Sequence, residues 1–427
     1  MTAGVSNREL TRPRQAVILA GGRGTRMLPY TEARPKTMIE FHGKPFLEYV
    51  VEMLRDQGFN RFLMLLGYLP EVIQKHFGDG SRWRVEIDYS VSDPDTLTSR
   101  RIQLAQHLID PCFLLMYCDN YWPMQMGKMW NKFVAADVPA MITVYGNKDK
   151  FSKDSVLIGE DGRVKVFDRS RKTPGLSGVE ISYAILRREV LDLLPQQEML
   201  VEEALYTPLA QQHRLAAYVS DHRYYSVGSV ERLPITNVFF ARQPSVILDR
   251  DGVINKKRPR GEYVRNWSEF EWLKGAKEAL RMLGQAGFRV IVVSNQAGIA
   301  RGAMSAADLA EIHEQLQSEV NQVGGHIHAI YHCPHDWDAG CDCRKPKVGM
   351  LFQAQLDFYL DLSRTFFIGD DERDGQAADS AGCPFLRVTE EQSLLDCVRQ
   401  MLGHSACKRV WENTSGIRGK EECQNAF

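Results

Sequence analysis

The strongest constraint on the fold is a rhythm of buried strands that runs once and then starts again. QAVILA (15–20), a helical stretch near 45–57, FLMLLG (62–67) and CFLLMYCD (112–119) set short apolar runs against longer amphipathic segments. SVILDRDG (245–252), RVIVVSN (289–295) and TFFIGDD (365–371) repeat the scheme. Apolar runs of this kind are strands covered on both faces, and their alternation with helices is the βαβ signature of a parallel sheet. The prediction is an α/β chain with two three-layer αβα domains and mainly parallel sheets. ARQPS (241–245), with Pro244, forms the boundary. The expected domains are 15–241 and 245–402, flanked by a polar arm at 1–14 and a loose polar tail at 403–427.

A chain of 427 residues that is 44% hydrophobic can fill two or three cores. Lys and Arg total 53 against 54 for Asp and Glu, so the overall charge points to neither nucleic acid nor a membrane surface. A small anionic substrate would need a local basic pocket. MTAGVSNRELTRPR lacks the apolar centre of a signal peptide, and no later apolar run reaches the length of a membrane span, so a cytoplasmic protein is expected. Nine cysteines, an odd number without an export signal, read as free thiols, and the sequons at Asn266 and Asn413 as chance matches. Oligomeric state is left open, with a homo-oligomer among the options.

CPHDWDAGCDCRKP (333–346) places Cys333, His335, Cys341 and Cys343 within eleven residues. Four soft or borderline ligands suit a closed tetrahedral Zn²⁺ site, and a disulfide is the weaker reading in a reducing compartment. With no open position for water, such a metal shapes a loop. Arg344 and Lys345 follow it directly, where cations would face a phosphate.

In the second half the strand ends carry Asp249 and Asp251, Ser294, and Asp370 and Asp371. The carboxyl ends of parallel strands line one crevice, so these groups should converge. Carboxylates from two strand ends suit Mg²⁺, and one beside a phosphoryl group can act as nucleophile while another protonates the leaving oxygen. Singly, each has a plainer role, since strand-end Asp often caps a helix and Asp-Gly often makes a turn. DRDGVIN, VVSNQAGIARG, CDCRKPKVGM and IGDDERDGQAA together resemble the haloacid dehalogenase superfamily of phosphatases, over about 245–400. The resemblance implies a capless Rossmann-like domain in which the zinc loop replaces the cap. It makes Asp249 the nucleophile, Asp251 the general acid/base, and Ser294 and Lys345 the phosphate binders. Asn295, Arg301 and Arg344 would meet substrate, and Asp249, Asp370 and the backbone carbonyl of Asp251 would hold Mg²⁺. Its zinc-loop subgroup includes heptose bisphosphate and histidinol phosphate phosphatases.

In the first half, LAGGRGTR and PKTMIEFHGKP fit neither a dinucleotide fingerprint nor a P-loop. A glycine turn at a strand end still offers N–H groups to phosphates, with Arg26 and Lys36 adding charge. Over about 14–240 the chain is similar to the sugar-1-phosphate nucleotidyltransferases. That implies a second Rossmann-like domain in which Gly21, Gly22, Gly24 and Arg26 bind nucleotide, Lys36 neutralises phosphates and Asp119 is a Mg²⁺ ligand. The chain departs from the pattern at DTLTSRRI (95–102), at Phe167-Asp-Arg-Ser with Arg169 or Arg171 as substitutes, and at Ser226-Val-Gly-Ser, where an Asp is usual.

A phosphatase that leaves a sugar 1-phosphate makes the co-substrate of a nucleotidyltransferase. The joint expectation is a bifunctional enzyme that removes the 7-phosphate of D-glycero-D-manno-heptose 1,7-bisphosphate and then transfers a nucleotidyl group, GMP from GTP, to heptose 1-phosphate for surface polysaccharide. The alternatives are a phosphatase whose first half only binds or regulates, and a hexose route through mannose 1-phosphate.

Overall fold

The structure is a computed structural model and describes residues 11–403. Ten residues of the expected N-terminal arm, and all but Gly403 of the expected tail, lie outside the described residues. The chain divides into two compact units, one ending at Ala241 and the other beginning at Arg242.

The first unit is built on seven strands: β1 (Gln15–Ala20), β2 (Arg61–Leu66), β3 (Glu86–Val91), β4 (Cys112–Tyr117), β5 (Ala140–Tyr145), β6 (Val179–Arg187) and β7 (Leu215–Ser220). Their order across the sheet is β7-β5-β6-β4-β1-β2-β3. The pairs β1–β2, β1–β4, β2–β3 and β5–β7 are parallel, whereas β6 runs antiparallel to both β4 and β5. Because β6 is reversed, its first residues share a rim with the last residues of the parallel strands. Its pairing with β5 slips between Glu180 and Ala184, and Ser182 there adopts φ +73°.

The second unit carries β8 (Ser245–Leu248), β9 (Arg289–Asn295), β10 (Ile327–Cys333), β11 (Phe366–Gly369) and β12 (Phe385–Arg387), ordered β10-β9-β8-β11-β12 and all parallel. Alternate residues of β8 feed different cores. Val246 and Leu248 pack into one cluster with Leu280 and Leu316, and Ile247 into another with Val293, Met350 and Phe367. Both sheet faces are therefore sealed, as the unbroken apolar runs require. Polar strand-end residues are left to emerge along one rim, the place where open α/β sheets bind ligands.

Candidate functional site

In the second unit Asp249 follows β8, and its N–H donates to the Ile368 carbonyl of β11 at 2.9 Å. Lys345 is 2% exposed and reaches three oxygens: Asp249 Oδ1 at 2.9 Å, Asp374 Oδ1 at 2.7 Å and the Val293 carbonyl at 3.0 Å. Asn295 fixes the Lys345 backbone in both directions. Its amide Nδ2 donates to the Lys345 carbonyl and its Oδ1 accepts from the Lys345 N–H, each at 3.1 Å. Asp370 follows β11, and its Oδ2 accepts from Lys257 at 2.7 Å. Glycine is obligatory at 252: φ is +93°, and a Cβ there would collide with the Asp370 carboxylate.

One carboxylate oxygen from each of Asp249, Asp370 and Asp374 falls within 4.8 Å of the others, close enough to share one cation. Asp370 Oδ1 is buried and has no hydrogen-bond partner among the described residues. An orphaned buried oxygen is costly, and a cation would satisfy it. Burial raises the carboxyl pKa of Asp249 and Asp370, and neighbouring carboxylates add to this against the opposing ammonium groups of Lys345 and Lys257. The donor set is hard and crowded with negative charge, and therefore fits Mg²⁺.

Asp251 is held differently. Its Oδ1 accepts from Arg250 at 3.0 Å and Asn255 at 2.9 Å, and its Oδ2 from Arg250 at 2.9 Å, Gln296 at 2.7 Å and, more weakly, Ser294 Oγ at 3.4 Å. Burial alone would raise its pKa, but Arg250 and these donors outweigh burial and lower it. Ser294, buried at the end of β9, also accepts from Gln296 at 2.8 Å. Asp371 takes the plainer role: it caps helix Glu372–Ala381, and Asp374 completes the capping box.

Asp251, Asn295 and Lys345 also line a cavity of about 830 Å³, with Lys257, Arg260, Arg344 and Lys347 supplying the local positive charge that the balanced composition lacked. Arg301 commits its guanidinium to Asp336 at 2.7 Å and to the face of the cavity residue Trp337, 3.6 Å from the ring centroid.

Cys333, His335, Cys341 and Cys343 converge, their ligand atoms all within 4.8 Å. Cys333 Sγ lies 3.6 Å from both His335 Nδ1 and Cys341 Sγ, and His335 Nδ1 lies 3.2 Å from Cys343 Sγ. These separations are near the edges of a tetrahedron with metal–ligand bonds of about 2.0–2.3 Å, and much longer than the roughly 2.05 Å of a disulfide. None of the seven cysteines among the described residues is in a disulfide. Burial and the adjacent sulfurs push the Cys343 thiol up to about 12, crowding that a bound dication would relieve.

In the first unit Lys36 and Asp119 form one pair, Nζ to Oδ2 at 2.6 Å. Burial opposes both charges, yet each holds the other ionised: Lys36 is raised and Asp119 lowered. The glycine loop is Gly21, Gly22 and Gly24, the last at φ +65°. It is tied to segment 92–96 twice. Arg23 pairs with Asp95 at 2.8 Å, and the buried Arg101 donates to the Gly21, Leu66, Asp93, Pro94 and Thr96 carbonyls. Arg26 is exposed. Ser226 directs its hydroxyl to the Asp119 carbonyl at 2.9 Å while accepting from the Gly228 N–H at 3.0 Å. Arg169 lies 3.7 Å from Glu202. Sequence reasoning missed Glu180 and Glu202. Burial, then Glu202 and Asp119, push Glu180 up to about 8. It also missed Asp374, Arg250 and Gln296; only the Asp-x-x-Asp spacing of a capping box pointed to the first.

Residues 15–168 match the family model described as nucleotidyl transferase, and residues 246–384 match that described as polynucleotide kinase 3 phosphatase. A D-glycero-beta-D-manno-heptose-1,7-bisphosphate 7-phosphatase of Pseudomonas aeruginosa is 44% identical over 138 residues, 32% of this chain and 76% of the relative. Among solved structures, D,D-heptose 1,7-bisphosphate phosphatase from B. bronchiseptica, complexed with magnesium and phosphate, is 35% identical over 37% of this chain and 98% of that one, with a TM-score of 0.35. HddC from Yersinia pseudotuberculosis is 23% identical over 53% of this chain and 99% of that one, with a TM-score of 0.46. Through its second unit the chain belongs to the D-glycero-beta-D-manno-heptose-1,7-bisphosphate 7-phosphatase family, joined in one polypeptide to a unit that matches the nucleotidyl transferases.

Proposed function

We propose that residues 245–402 remove the 7-phosphate of D-glycero-D-manno-heptose 1,7-bisphosphate and that residues 15–241 then transfer GMP from GTP to heptose 1-phosphate, in the cytoplasm. The observation that carries this reading is the convergence of Asp249, Asp370, Asp374 and Lys345 on one rim, in a domain of that phosphatase family. Asp249 attacks the phosphorus, so an Asp249–phosphorus bond forms as the ester bond breaks, and Asp251, which enters this step protonated, passes its proton to the leaving oxygen. Water, giving its proton to Asp251, then attacks the same phosphorus and releases inorganic phosphate from Asp249. Asp249, Asp370 and Asp374 would hold Mg²⁺, which supplies charge stabilisation to phosphoryl oxygens when bound. Cys333, His335, Cys341 and Cys343 would hold Zn²⁺, fixing the loop from which Arg344 faces the cavity. In the first unit Lys36 and the glycine loop meet the triphosphate. Only cleavage at position 7 leaves the anomeric phosphate that the transfer step consumes.

One observation favours a binding role for the first unit instead. The Ser226 hydroxyl is occupied by two backbone groups, so Asp119 has no second carboxylate at that position. Incubating the full chain with the heptose bisphosphate and each triphosphate, with phosphate and pyrophosphate measured separately, decides between the two. Phosphate without any triphosphate, and pyrophosphate only with GTP, is the expected result. Heptose 7-phosphate as the main product would overturn the coupled sequence. No nucleotide sugar at saturating Mg²⁺ would leave the first unit a binding module.

A further inference from the structure

Arg250 stands between the two catalytic aspartates in sequence, yet its side chain is 0% exposed. Its Nη2 serves both Asp251 oxygens, at 3.0 and 2.9 Å, and its Nη1 lies 3.4 Å from His313 Nε2 on helix Ala306–Gln322. Its Nε is buried without a hydrogen-bond partner among the described residues. His313 is held neutral, its pKa pushed down to about 3 by burial, then by Arg250 and His332. The imidazole can therefore accept from Arg250, and among the described residues the one anion paired with the guanidinium is Asp251.

Burying a guanidinium is expensive, and a buried ion pair as a whole can often be replaced by hydrophobic residues at no loss of stability, so the pair is not needed for the fold itself. Asp251 meanwhile has two rotatable side-chain bonds and must present one carboxylate oxygen to a leaving group. Arg250, Asn255 and Gln296 together supply four short N–H contacts to the two oxygens, which fixes both torsions.

We propose that Arg250 is a positioning residue that aims Asp251 at the leaving oxygen, acting by geometry and not by touching substrate. This rests on the reading of Asp251 as the proton donor, and the test separates the two. The alkoxide expelled from an alkyl phosphate such as heptose 1,7-bisphosphate leaves only with a proton, whereas p-nitrophenolate departs from p-nitrophenyl phosphate without one. In the full chain, Asp251→Asn sets the reference: first-turnover ester cleavage should collapse with the alkyl ester and persist with the nitrophenyl ester. Arg250→Met should reproduce that selectivity, with a loss of about 10- to 100-fold on the alkyl ester and little change in the nitrophenol burst. Arg250→Lys keeps the charge but replaces the planar guanidinium by a point charge that cannot reach Asp251 and His313 together, and should show the same pattern more weakly; it decides the matter if the methionine variant does not fold. Equal losses on both esters would reduce Arg250 to a structural role, and wild-type rates in Arg250→Lys would also overturn the proposal. Absence of ester selectivity in Asp251→Asn would remove the donor role of Asp251 itself.

Discussion

The two rims differ in how they balance charge. On the second unit, Asp249 and Asp374 share the ammonium of Lys345, Asp370 meets Lys257, and one buried Asp370 oxygen has no hydrogen-bond partner among the described residues. On the first, Lys36 and Asp119 pair one to one. Excess negative charge in a buried place is tolerable only where a cation completes it. A closed pair is content without one, and a ligand must first compete with the partner already present. The comparison teaches that the same α/β rim can be built as a socket awaiting an ion or as a contact that a ligand has to open.

The sharpest way to break this contrast is Asp249→Asn, which is nearly isosteric. Phosphate release should fall by at least about 1,000-fold, while any pyrophosphate release from supplied heptose 1-phosphate and GTP is unchanged. Wild-type phosphate turnover would remove Asp249 from the chemistry. Next, Asp374→Asn weakens both the ion socket and the anchor of Lys345. A fall of roughly 10- to 100-fold in Mg²⁺ affinity, read from the metal dependence of the phosphatase rate, is expected. An unchanged dependence would confine Asp374 to capping its helix. Cys341→Ser should reduce zinc, measured by elemental analysis, from one per chain, and depress phosphatase turnover with the first unit's activity intact; full activity without metal would make the thiols mere packing.

Smaller effects sharpen the first rim. Glu180 has a folded pKa raised to about 8, so between the ordinary carboxylate range and pH 8 the folded state holds a proton that the unfolded state has lost. Its contribution therefore makes stability fall as pH rises through that window. Glu180→Gln should flatten the decline in thermal midpoint between pH 5 and about pH 8, and an unaltered decline would show that Glu180 titrates normally. Least in size is Ser226→Asp, which loses the donation to the Asp119 carbonyl and costs about 1 kcal/mol in chelator. It should also lower the Mg²⁺ needed for half-maximal nucleotidyl transfer; no shift in that requirement would mean the position does not face the ion.

What could be read in the sequence follows from where the physics is local. SVIL and FFIG are strands in any context that buries them, and Asp249 and Asp370 at their ends needed only the rule about parallel sheets. Glu180 was invisible because its place depends on β6 running backwards between β4 and β5, a long-range choice that βαβ periodicity does not encode. Asp374 sits within a helix and looks like a solvated polar residue until the Lys345 contact is known. Arg250, flanked by two acids, reads as a surface charge. The convergence of Cys333, His335, Cys341 and Cys343 was plain since eleven residues enclose all four.

The Arg101 staple has a thermodynamic consequence. Five backbone carbonyls, including that of Gly21, are gathered on one buried guanidinium before any ligand arrives. The glycine loop thus gives up much of its backbone freedom when the chain folds, and little remains to be lost at association. For whatever anion that loop takes, calorimetry should record a small entropic penalty, which Arg101→Lys would enlarge as the loop regains its disorder.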